Sequence, residues 1–310
     1  MNPIASLVLI RINGGTAMMR ILGIVGVQVC ICVPIIVFQF CKGKEFFSKE
    51  YWGYALRIGI PIVPHYLSGI ILNQGDRIMI DKMVGKTEVA LYGLAYSIGM
   101  LVQLFISGMN SALTPWMYSK IKKGDIRSMR KVLQLLSIVV VGIAVALMLI
   151  SPEMVLIFGS PKYREAVAAS VFFIFIYNIL SMPQFYYEKT QFLMAASMAA
   201  AGANVVLNFI FIRLFGYIAA GYTTLACYML YSVGHYIVSK QILVNEGIQE
   251  NLMSPGFLVA CSVFLIGASI ICNLIFPYRI LRYAILLASA GLVFWKKELL
   301  LKTMADIRKK

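Results

Sequence analysis

The sequence predicts an all-α polytopic membrane protein with about nine transmembrane helices, and three observations carry that prediction. Hydrophobic residues make up 60% of the 310 and charged residues only 13%, and the mean hydropathy is +0.83, so there is too little polar surface to cover a soluble globule. The apolar residues run in stretches of about twenty, the length of a membrane-crossing helix, rather than in alternating ten-residue segments of a barrel. Most connections between these runs are short and polar, which leaves no room for a soluble domain. In lipid every backbone amide and carbonyl needs a partner within the protein, and helices supply it segment by segment.

Nine spans follow in order along the chain. Residues 21–40 form the first, after Arg11 and Arg20, whose charges interrupt the opening apolar stretch and argue against a cleaved signal. The second, 54–75, contains Pro61, Pro64 and His65; each proline removes an amide donor, so a broken helix at mid-depth is expected there. The third, 89–112, carries Gln103, Asn110 and Ser111. A basic segment, KIKKGDIRSMRK at 120–131, leads into the fourth span at 132–151, and spans at 166–186, 191–211 and 217–238 come next. The small-residue run 195–204 in the sixth permits close helix approach. Spans at 255–276 and 280–299 complete the set, followed by a basic tail at 301–310.

The net charge of +15 does not point to nucleic acid, because the basic residues sit between apolar runs instead of on one soluble face. Assigned to alternate sides, 18 Lys and Arg fall with the 120–131 segment and the tail and 10 fall opposite, so the C-terminus is expected in the cytoplasm and Met1 outside. The six cysteines show no CxxC pair and no nearby His, and they read as small buried hydrophobes rather than metal ligands. Trp116, Tyr118, Tyr186 and Tyr187 fall near the ends of spans and read as an aromatic belt.

Residues 51–120 carry a series of recognisable elements: a Pro-interrupted span ending NQGDRIMI, a turn DKMVGKTEVA, a helix start LYGLAYSIG and a closing NSALTPWMY. SPEMVLIFGSPKYREA follows at 151–166. In this order they resemble the polysaccharide and O-antigen repeat-unit flippases of the multidrug/oligosaccharidyl-lipid/polysaccharide exporter superfamily. The resemblance implies two six-helix lobes facing a central cavity, with 51–238 as the second lobe, 1–50 as an external segment plus the last helix of the first lobe, and 255–300 as two additional helices. On that pattern five first-lobe helices are not in this chain, and a partner polypeptide or a second copy would complete the cavity. The resemblance further implies a bacterial plasma membrane location and a polyprenyl pyrophosphate-linked oligosaccharide as cargo, moved without a cofactor, metal or enzymatic step.

Such cargo needs polar groups and positive charge where lipid cannot reach, and a polar residue at membrane depth is costly unless it faces a cavity or a partner. His65 near mid-span, Asn73, Asp76 and Arg77 at the outer end of the same span, and Gln103 near the middle of the next are therefore the candidates for cavity or gate. Each has a plainer reading: His65 bonded to a neighbouring helix, Arg77 paired with Asp81 four residues on, and Gln103, like Asn178, Asn204 and Asn208, joining helices. A multidrug or cation antiporter of the same superfamily is the nearest rival function; it favours a buried carboxylate, and no Asp or Glu stands clearly at mid-depth. A membrane-embedded glycan polymerase needs clustered acid and base groups on a sizeable external loop, and the external loops are short and hold no His.

Overall fold

A computed structural model describes residues 2–12, 17–44, 47–158 and 165–295. The basic tail, together with Lys162, Arg164 and the 159–164 portion of the second motif, lies outside the described residues. The described chain is helical: α1 (Asn2–Ile12), α2 (Ala17–Gly43), α3 (Lys49–Met83), α4 (Lys86–Lys122), α5 (Ile126–Phe158), α6 (Glu165–Tyr186), α7 (Thr190–Phe215), α8 (Ala219–Asn245), α9 (Pro255–Leu274) and α10 (Arg279–Trp295). Helices α2 to α10 coincide one for one with the nine predicted spans.

Six of these, α2, α3, α5, α6, α7 and α9, are long and apolar enough to cross a membrane. Helix α10 has 17 described residues, and α8 buries Thr223, Thr224, Ser232, His235 and Ser239 against its neighbours, so its polar side chains point into protein rather than lipid. Helix α4 carries Gln103, Ser107, Asn110 and Thr114 along one side. Large apolar residues stand exposed along the helices, Ile60, Val63, Leu67 and Ile70 of α3 among them, as expected of a surface solvated by lipid.

The chain divides into two compact units, Met1–Arg57 and Ile58–Lys310. In the first, α1 packs on α2, and Ser6 Oγ donates to the Arg20 carbonyl at 3.2 Å. Among the described residues Cys30, Cys32 and Cys41 of α2 are exposed, contrary to the expectation of burial, while Cys227 and Cys272 in the second unit are buried.

In the second unit α6 is the hub, packed by α8, α4, α5, α9 and α7. Residues 169–176 of α6 are buried without a break, the pattern of a helix that is apolar all round because it is surrounded by protein. Helix α3 buries only Pro61, Ser68, Leu72, Asp76 and Ile80, a narrow stripe with mostly four-residue spacing. Its 35 residues extend about 52 Å at 1.5 Å per residue, well beyond a bilayer core. Hydropathy marks only the apolar middle of such a helix, which is why the predicted span of 54–75 is shorter.

Two local expectations are corrected. Helix α3 runs unbroken through Pro61 and Pro64: each proline removes one amide, and the intact turns on either side hold the helix. Ser68 Oγ reinforces this stretch by donating to the Pro64 carbonyl at 2.7 Å. Trp116 is buried in the bundle rather than set in an interfacial belt; it follows Pro115 inside the long α4, where the helix still packs on its neighbours.

The α3–α4 connection is the two-residue turn Val84–Gly85, where the sequence places a turn. In the α4–α5 turn Gly124 takes φ +69°, a conformation that costs other residues about 1–2 kcal/mol. Asp125 follows as the N-cap of α5, accepting from the Ser128 amide at 3.3 Å and from Lys120 Nζ at 2.6 Å.

Candidate functional site

The helical period sets which polar side chains meet. On α3, His65, Asn73 and Asp76 fall close to the buried stripe; on α7, Ser197, Asn204 and Asn208 share one face; on α8, Thr224, Tyr228, Tyr231 and His235 recur at spacings of three and four. Where the three faces converge, a buried polar seam runs along the bundle.

Asp76 is the centre of its first cluster and is fully buried. Asn208 Nδ2 donates to its Oδ1 at 2.6 Å, Thr224 Oγ1 donates to Oδ2 at 2.7 Å, and the Tyr92 hydroxyl also donates to Oδ2. These donors are held in turn: Asn208 Nδ2 also reaches Asn204 Oδ1 at 3.2 Å, Asn204 Nδ2 donates to Thr224 Oγ1 at 3.1 Å, and Thr223 Oγ1 donates to Asn208 Oδ1. Four helices, α3, α4, α7 and α8, thus meet on one carboxyl group. The sequence places Asp76 at the outer end of a span. The structure buries it among neighbouring helices, because the polar residues that end the hydropathy window at 75 turn inward on a helix that continues to Met83.

One turn away, Asn73 Oδ1 accepts from the Tyr96 hydroxyl and from Tyr228 Oη at 3.3 Å, while its amide donates to the Gly69 carbonyl at 2.8 Å. Further along α3, His65 Nδ1 lies 2.5 Å from Ser197 Oγ and 3.2 Å from Tyr231 Oη. Tyr231 stacks at 4.5 Å on Tyr177 and contacts His235 at 4.4 Å between ring centres. His235 Nδ1 pairs with Gln184 Nε2 at 2.8 Å. Both histidines of the chain therefore stand on one seam; His235 was missed in the sequence, where its position on the Thr224–Tyr228–Tyr231 face was the available signal.

Arg77 does not pair with Asp81. Its Nη1 donates to Gln74 Oε1 at 3.2 Å, its guanidinium sits 4.7 Å from the centre of the Tyr96 ring, and its buried Nε has no hydrogen-bond partner among the described residues. One helical turn separates Arg77 from Asp81, but the neighbouring α4 offers an aromatic face, and an arginine over such a face gains a cation–π contact.

Gln103 stands in the wall of a groove of about 330 Å³ between α4 and α6. The α4 side presents Gln103, Ser107, Asn110, Ser111 and Thr114, spaced three and four apart, and α6 adds Asn178 and Ser181. None of its described lining residues is charged. A groove of neutral amides and hydroxyls can exchange hydrogen bonds with a polyol and hold water in a bundle otherwise faced with hydrocarbon. Among the described residues no cluster of His, Cys, Asp and Glu is arranged to hold a metal ion.

Three comparisons bear on these features. Residues 4–122 match the family described as "Polysaccharide biosynthesis protein". Two Haemophilus influenzae proteins are similar: "Lsg locus putative protein 1", 29% identical over 167 residues, covering 50% of this chain and 41% of that protein, and an "Uncharacterized membrane protein", 28% identical over 187 residues, covering 56% and 46%. The chain thus spans less than half the length of these curated relatives. Among solved structures, "Crystal structure of MATE in the bent conformation" superposes with a TM-score of 0.53 at 19% identity, over 69% of this chain and 51% of that one. The family match takes in the motifs of 51–120, and the structural likeness shows a fold shared with MATE.

Proposed function

We propose that the chain forms one wall of a flippase that carries lipid-linked oligosaccharide repeat units across a bacterial plasma membrane for surface polysaccharide synthesis. The observation that carries this reading is the α4–α6 groove: Gln103, Asn110, Ser111 and Asn178 line it with hydrogen-bonding groups and no charge. Such groups in contact with lipid would each be unfavourable, so the groove has to face water or cargo, and its chemistry suits sugar hydroxyls. Arg77, with an unpaired Nε, supplies a cation suited to the pyrophosphate. In this reading residues 51–238 are the second lobe, and a partner polypeptide or a second copy supplies the opposite wall that alternating access requires.

The test is surface polysaccharide in cells that depend on this gene and carry Asn110→Leu, Asn178→Leu or both. Loss of surface polymer at unchanged protein level, with lipid-linked repeat units accumulating inside, is the expected result. Normal export from the double variant would refute the groove as the cargo path.

A second reading, coupling to a cation or proton, is favoured by Asp76. A carboxyl group held by donors from α4, α7 and α8 is placed to convert a change in its own occupancy into a change in how α3 packs. Asp76→Asn is expected to abolish the dependence of transport on an ion or pH gradient, and gradient-dependent transport by that variant would remove Asp76 from the coupling role.

A further inference from the structure

Beside the residues that hold Asp76 lies a small, partly open space of about 20 Å³. Tyr92 and Thr224, which both donate to Asp76 Oδ2, line it, as do Tyr96 and Tyr228, which both donate to Asn73 Oδ1. It has room for about one water molecule, which needs two to four polar partners to be stable. Most of its wall is aromatic and aliphatic carbon, so the few polar groups decide whether water enters. The space and the α4–α6 groove have two wall residues in common, Gln103 of α4 and Ile174 of α6. Gln103 is the polar half of that partition and Ile174 the apolar half. The groove reaches Tyr118 near the Lys120 end of α4, whereas Tyr92 stands near its Lys86 end. The space therefore extends the groove toward the donors that hold the Asp76 carboxyl group.

We propose that Gln103 is the inlet through which a proton passes from the α4–α6 groove to Asp76, by way of a single water held between Tyr92, Thr224 and Tyr228. This rests on the reading of Asp76 as the coupling group. The transfer balances as one proton moved. A hydronium in the groove gives a proton to the water in that space across the Gln103 amide; that water passes one of its protons to the Thr224 or Tyr92 oxygen as the hydroxyl's own proton moves to Asp76 Oδ2. The groove is left with neutral water and the carboxyl group with one added proton. Gln103 is a positioning residue in this scheme, because its amide holds the water and itself neither gains nor loses a proton.

The experiment is time-resolved infrared spectroscopy of the full chain in nanodiscs after a drop in pH, following the carboxylic acid band that Asp76→Asn removes. Gln103→Leu is expected to slow the appearance of that band about tenfold or more, since an apolar partition no longer steadies water, while leaving its final size unchanged. Ile174→Ala widens the opening and is expected to speed it. Equal rates in the wild type and both variants would overturn the inlet while leaving Asp76 a titrating group. No Asp76 band at any pH would overturn the coupling reading, and the inlet with it. Unchanged final amplitude in either variant serves as the check that the bundle is intact.

Discussion

Replacing Asn208 by alanine removes an amide that donates to Asp76 Oδ1, together with the bond to Asn204 and the acceptor for Thr223. Interhelical hydrogen bonds in membranes average only ~0.6 kcal/mol and reach ~1.7, whereas a bond to an ionisable group and the cost of leaving it unpaired reach about 1.5–3 kcal/mol. The larger figure is the relevant one here. The buried stripe of α3 is narrow, and Asp76 is fully buried within it, so the lost donor leaves its carboxyl group short of a partner. Asn208→Ala and Asp76→Ala should each destabilise the protein by about 2–3 kcal/mol, and the double variant should lose about 1.5 kcal/mol less than the sum, because the second change removes a group already stranded. Unfolding of the purified protein in mixed micelles, fitted for the four members of the cycle, measures this coupling. Additivity to within about 0.5 kcal/mol would show that the Asp76–Asn208 contact carries no interaction energy and that α3 is held by apolar packing alone.

Other outcomes follow from single contacts. Arg77→Ala should reduce export in the intact gene, while Asp81→Ala should leave both export and protein level unchanged, since Arg77 rests on Gln74 and Tyr96; equal loss from both substitutions would restore the Arg77–Asp81 pair. Gly216 ends α7 at φ +77° and ψ −173°, a region open to glycine almost alone, so Gly216→Ala should cost about 1–3 kcal/mol and lower the melting temperature. Glu153 pairs with Arg282 at 2.7 Å through both of its oxygens, and Arg282 also donates to the Leu149 carbonyl. The Arg282 hydrogen bonds hold the Glu153 carboxyl below its usual value. A lowered value in the folded protein means this contribution is complete above the unfolded value, about 4.3, and is lost as the pH falls through the folded one. Proteolysis of the α9–α10 connection should accordingly rise only in acid, and Glu153→Gln should make it high and insensitive to pH. Reporter fusions within 118–131 and after Lys310 should give cytoplasmic signals, as the distribution of Lys and Arg requires; external signals at both would invert the topology.

What the sequence determined by itself is the class of molecule and the order of its helices. Composition selects the solvent, lipid compels helices, and the length of each apolar run marks one span, so α2 to α10 were all legible before any coordinates. The motifs of 51–120 were equally local, as was the Val84–Gly85 turn, because a few neighbouring residues carry each of them. Which polar residues meet was not legible. Asp76 reads as the frayed end of a span because a hydropathy window cannot tell a polar residue facing water from one facing Asn208 and Thr224. Those partners lie 132 and 148 residues away. His235 was passed over and Trp116 was assigned to an interface for the same reason. A side chain's position along a helix is fixed by the chain, but the surface it faces is decided by which helices pack around it, and only the tertiary structure supplies that.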